Sequence, residues 1–123
     1  MRRGFTLIEL LVVLAVIATL LSIALPRYFG SVERSKEVTL KQSLTVMRDA
    51  IDKFYADNGR YPDSLADLVD KRYIRALPVD PITESADTWT VVAPPEGSAK
   101  GSVYDVKSGA KGRTHDGVEF TGL

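Results

Sequence analysis

The sequence predicts an α+β fold: one long N-terminal helix packed on a small antiparallel β-sheet. Three observations carry the prediction. An apolar run from Leu7 to Leu25 is followed by a stretch of 3.6-residue periodicity, and two short β-type stretches lie near the C-terminus. The 123 residues suffice for one domain plus a membrane segment.

Leu7 to Leu25 is 19 residues long and Glu9 is its only ionisable side chain. At the helical rise the run reaches about 28 Å, close to the hydrocarbon thickness of a bilayer. Met1-Arg2-Arg3 is too short for an ordinary secretory n-region, and no A-x-A-like site follows the run, so a retained helix is expected. Arg2 and Arg3 favour a cytoplasmic N-terminus, and Arg27 beyond the helix weakens that asymmetry without reversing it. Pro26 removes a backbone donor and disfavours helix at Leu25, so a kink or local unwinding is expected there.

Beyond Pro26, Leu40, Leu44, Met47, Ile51 and Phe54 are spaced 4, 3, 4 and 3 and define one apolar stripe. Val32, Val38 and Tyr55 are read as its extensions. Asn58-Gly59 is a stop signal, placing the helix end near Asp57. Asp63 is expected to cap a short second helix that turns Leu65, Leu68 and Val69 inward. The strand candidates are Thr88–Val92 and Ser102–Val106, joined through Pro94-Pro95-Glu96-Gly97, with Trp89, Val91 and Val103 in the core. Val118-Glu119-Phe120 reads as a third short strand or an extended tail.

Composition excludes several classes of function. Lys plus Arg equals Asp plus Glu at 16 each, which gives no electrostatic reason for a nucleic-acid partner. With no cysteine and one histidine, His115, a zinc or copper site is implausible. No Ser/His/Asp set or paired-carboxylate arrangement is legible, so no enzyme is expected and no catalytic residue is assigned. The acids Asp80, Glu84 and Asp87 read as a solvated loop.

Glu9 is the anomaly. A charge in hydrocarbon costs about 2.5–3.5 kcal/mol on the insertion scale, which makes it a functional-site candidate. The junction Gly4-Phe5-Thr6-Leu7-Ile8-Glu9 before an apolar helix resembles the type IV pilin and pseudopilin family. The resemblance implies that a prepilin peptidase/N-methyltransferase cuts between Gly4 and Phe5 and methylates Phe5. It implies a leader at residues 1–4, a transmembrane and filament-core helix at 5–25, and a periplasmic domain at 26–123. Removing the leader leaves 14 basic and 16 acidic side chains. Glu9 then pairs with the Phe5 ammonium of an adjacent copy, and Pro26 supplies flexibility during assembly.

Three further segments narrow the resemblance to the major pseudopilin (G type) of type II secretion systems. They are Tyr55-Ala56-Asp57-Asn58-Gly59-Arg60-Tyr61-Pro62, Tyr73–Pro81 with its Leu77-Pro78-Val79-Asp80-Pro81, and Tyr104-Asp105-Val106-Lys107-Ser108-Gly109. This implies a pilin-like fold and a single-pass protein of the bacterial inner membrane. It also implies a homopolymer, with minor pseudopilins, an inner-membrane assembly platform and its ATPase, and the lipid bilayer as partners. The alternatives are a type IV pilin of a surface fibre and a membrane-tethered binding domain that never polymerises. Lack of a cysteine pair disfavours the first, and Glu9 with the Gly4–Phe5 junction disfavours the second. Major pseudopilins often bind calcium near the last turn. Here Asp116 and the Ser108 carbonyl are the candidate ligands, but acids are sparse and Lys111 and Arg113 intrude, so an ordinary glycine-rich turn without a cofactor is preferred.

Overall fold

Two apolar patterns in succession, one covering a whole helix surface and one confined to a stripe, produce a helix with two different surroundings. The computed structural model describes residues 4–123. Arg2, Arg3 and the rest of the leader ahead of Gly4 lie outside the described residues. Helix α1 spans Leu7–Asn58. The chain forms two compact units, the first ending at Glu33 and the second covering Arg34–Leu123.

In the first unit the helical assignment runs through Pro26 without a break, so the expected local unwinding does not occur. Thr19 and Ser22 donate their hydroxyls to the carbonyls of Ala15 and Ala18, both at 2.8 Å. These bonds satisfy the polar side chains within the helix itself. None of its most apolar 18-residue window is buried by the chain itself.

In the second unit α1 buries Leu40, Leu44, Met47, Ile51 and Phe54, the expected stripe. The expected extensions differ. Val38 and Tyr55 face outward, and the position three before Leu40 is filled by Glu37, which is buried. The helix ends as the sequence indicates: Gly59 takes φ +67°, its N–H bonds the Tyr55 carbonyl at 2.8 Å, and Asn58 Nδ2 bonds the Phe54 carbonyl.

Helix α2 spans Leu65–Asp70, with Leu65 and Leu68 buried. Its cap is Ser64 rather than Asp63, and Asp63 is taken instead by the Arg60 guanidinium. Strands β1 (Thr90–Val92) and β2 (Asp105–Lys107) pair antiparallel with Val91 opposite Val106. Both are shorter than expected, and β2 begins three residues later than the candidate stretch. Val106 and Val103 are buried, whereas Val91 is 40% exposed, so Val106 supplies the apolar contact expected of Val91. Trp89 is buried and donates Nε1–H to the Pro78 carbonyl at 2.8 Å. Near the C-terminus Glu119 makes only an isolated bridge to Arg113, and Phe120–Gly122 forms a 3₁₀ turn that buries Phe120.

The loop and strand ends meet closely at Gly109. A Cβ there would lie 2.0 Å from the Thr88 carbonyl oxygen. Gly109→Ala is therefore expected to cost about 1–3 kcal/mol through overpacking, read as a lower midpoint of thermal unfolding. Gly30→Ala, in a helix with nothing within 4 Å of the new methyl, should be neutral or stabilising by about 0.5–1 kcal/mol. Equal midpoints for the two variants would contradict this packing.

Candidate functional site

The N-terminal site is built by the first turn of α1. Thr6 Oγ1 accepts the Glu9 N–H at 3.1 Å, and Glu9 Oε2 accepts the Thr6 N–H at 3.1 Å. This is a reciprocal capping box, in which the carboxylate satisfies a donor that the helix start leaves open. A negative group here is also favoured by the helix dipole. The sequence Thr6-x-x-Glu9 carries that signature, but it lies at the head of an apolar run and is easily read only as membrane. Phe5 is 93% exposed and Gly4 has nothing within 4 Å of its Cβ position. Pro26 lies inside the same helix, with apolar side chains exposed on either side of it. Phe5, Glu9 and an uncovered apolar surface are thus available together.

The C-terminal turn is a separate feature. Ser108 is buried and donates its hydroxyl to Asp80 Oδ2 at 2.5 Å, while accepting the Ala110 N–H at 3.1 Å. Asp80 is fully buried rather than solvated, and its other oxygen accepts the Ile82 N–H at 2.9 Å. Glu84 and Asp87 are exposed, as expected of a loop. Asp116 is exposed and sets its carboxylate 3.1 Å from His115 Nε2. The Ser108 hydroxyl and the Asp116 carboxylate therefore meet different partners. Among the described residues no group of three or more His, Cys, Asp or Glu side chains could hold a metal ion. Side-chain donors for a cation that takes about six to eight oxygens are few at this turn.

Two anchoring residues escaped the sequence reading. Arg48 reaches from α1 to Asp105 Oδ1 at 2.8 Å, the Val106 carbonyl at 3.0 Å and the Leu123 backbone oxygen at 2.7 Å. Glu37, 5% exposed, accepts the His115 backbone N–H at 2.6 Å and a bond from His115 Nδ1. Burial alone would raise the Glu37 carboxyl. The two His115 hydrogen bonds, with the charges of His115 and Lys41, outweigh it and hold the group below its ordinary value of 4.5.

An apolar, uncovered helix with an acid at its start, joined to a small helix-and-sheet body, defines a pilin-like protein. The comparisons agree. The model of the prokaryotic N-terminal methylation motif matches residues 1–25. The chain is 30% identical over 141 aligned positions to type II secretion system core protein G of Escherichia coli K12, covering 99% of this chain and 92% of that protein. It is 32% identical to core protein G of Klebsiella pneumoniae over 96 positions, covering 65% and 69% respectively. It is also 41% identical over 61 positions to the type IV major pilin PilA of Myxococcus xanthus, covering 50% of this chain and 28% of that protein. No solved structure matches significantly. The chain belongs to the type IV pilin and pseudopilin family, and it is similar to the G-type pseudopilins of type II secretion systems. Its relatives are structural subunits rather than enzymes. The apolar helix and the motif fit single-pass anchoring in the inner membrane.

Two outcomes follow from this geometry. Thr6→Ala removes the hydroxyl arm of the capping box, and the Glu9 amide of the micelle-bound chain should exchange about fivefold faster, as loss of an N-cap worth about 1 kcal/mol requires; unchanged exchange would exclude the box. The Glu37 carboxyl is depressed in the folded body, so its stabilising contribution is complete above pH 4.5 and is lost as pH falls through the lower native value. Glu37→Gln should flatten that acid limb of the stability profile, and parallel limbs in the two proteins would contradict the assignment.

Proposed function

We propose that the chain is the structural subunit of a periplasmic pseudopilus that drives protein export in a type II secretion system. The observation that carries this reading is the exposed start of α1, where Phe5 and Glu9 lead an apolar surface that its own chain leaves uncovered. Cleavage between Gly4 and Phe5 by a prepilin peptidase frees an amine, and N-methylation leaves it positive. The ammonium of one copy and the Glu9 carboxylate of its neighbour relieve each other's desolvation in the bilayer, which sets register and favours joining the growing end.

In this reading residues 1–4 are the leader, 5–25 become the filament core, and 26–123 form the periplasmic body. Pro26, with no N–H to donate, is the position at which the helix can yield as a subunit leaves the bilayer. An inner-membrane platform with its ATPase adds copies from below, and minor pseudopilins complete the fibre. A type IV pilin of a surface fibre is the second reading, favoured by the identity to PilA over half of the chain.

Glu9→Leu is expected to be cleaved and inserted normally yet to assemble poorly; normal fibres from that variant would refute the pairing. Function is tested by the culture-supernatant proteins of a deletion strain against its parent. Loss of specific exoproteins, trapped in the periplasm and restored by the wild-type but not the Glu9→Leu chain, is the expected result. An unchanged profile with lost surface fibres, twitching or DNA uptake would favour the surface pilin instead.

A further inference from the structure

The acids around the C-terminal turn all meet groups of the chain itself. Glu37 takes the His115 backbone N–H and Nδ1, and Asp116 faces Nε2 of the same ring. Glu119 lies 3.6 Å from the Arg113 guanidinium, which also reaches the Gly117 carbonyl at 3.4 Å. Several carbonyls of the turn are engaged as well. Thr114 N–H bonds the Val118 carbonyl at 2.8 Å, Gly117 N–H bonds that of Thr114 at 2.9 Å, and Phe120 N–H bonds that of Gly112 at 3.2 Å. A divalent ion would have to displace Arg113 and His115 to gather the oxygens it needs.

The turn nevertheless has to be fastened to the body, and the fastening is visible. Glu37 is the most deeply placed of these acids, sits in the core stripe of α1 and reaches across 78 residues of sequence. A carboxylate buried there is stable only while its hydrogen bonds are satisfied, so it holds His115 in place as firmly as His115 holds it.

We infer that the C-terminal turn of this chain is fastened by its own N–H donors and by Glu37 clamping His115, and that the body keeps this turn closed without calcium. The inference concerns the body alone and stands whether or not the chain polymerises.

The test uses the full chain in detergent micelles, with thermal unfolding and hydrogen exchange of the 112–120 segment measured in excess EGTA and then in about 5 mM calcium chloride, above the weakest range of extracellular calcium sites. The wild-type chain is expected to show the same midpoint and the same protected turn in both. His115→Ala, which leaves α1 intact, should speed exchange of the turn about tenfold or more, as loss of hydrogen bonds to a charged group implies, and calcium should not restore it. Glu37→Ala should do the same, and should it fail to fold, His115→Ala alone decides. A rise of about 4 °C or more in the wild-type midpoint on adding calcium, abolished by Asp116→Asn, would overturn the inference. So would a turn that stays equally protected in His115→Ala under EGTA.

Discussion

An apolar helix with no cover in its own chain constrains everything else in this protein. From Phe5 to Leu25 the large side chains stand exposed, and burying such surface is worth roughly 25 cal/mol per Å². Lipid can supply that cover, and so can the same helix of other copies. The transfer from one to the other is what a pilin-like subunit has to manage, and apolar surface alone gives it no direction and no register. Glu9 breaks that symmetry. Its carboxylate closes a capping box with Thr6 at the helix start. In the proposed assembly it becomes the charge that a neighbour's Phe5 ammonium meets. One side chain thus stabilises the free helix end and, in that proposal, marks where the next copy docks.

The body answers a different requirement: in the proposed assembly it must stay folded while its helix is handed between environments. Its sheet is two strands of three residues, too small to stand alone. It is held by the packing of Trp89, Val103 and Val106 with the α1 stripe in one core and by three long-range polar anchors, two of them reaching from α1. Arg48 gathers Asp105, Val106 and Leu123, Glu37 gathers the turn through His115, and buried Asp80 joins the 80–85 loop to Ser108. Among the described residues no buried side-chain polar atom lacks a partner, so these anchors carry little unpaired desolvation cost. Loss of either member of such a pair is more damaging than loss of an exposed ion pair such as Lys53–Asp49.

Local features were readable in the sequence and long-range polar ones were not. The apolar stripe from Leu40 to Phe54 and the Asn58-Gly59 stop follow from helix periodicity and backbone conformation, both properties of neighbouring residues. Carried back three positions, the same stripe reaches Glu37, but an acid at a core position reads as solvent-facing until its partner is known, and His115 lies 78 residues away. Asp80 likewise reads as solvated until Ser108, 28 residues distant, is known to be its partner. Strand propensity points Val91 inward, yet in so short a ladder Val106 and Trp89 fill the core and leave it partly exposed. Pro26 has a strong local signal, and the helix nonetheless continues through it.

The most direct test of the central claim is a distance measured between copies in assembled filaments. Filaments can be grown from an equal mixture of chains labelled with ¹⁵N at Phe5 and chains labelled with ¹³C at the Glu9 carboxyl, so that a dipolar coupling between the labels arises only across a subunit boundary. The account predicts a coupling corresponding to an ion pair, within about 4 Å. Filaments that form normally without that coupling, with Glu9 still bonded only to the Thr6 N–H of its own chain, would contradict it.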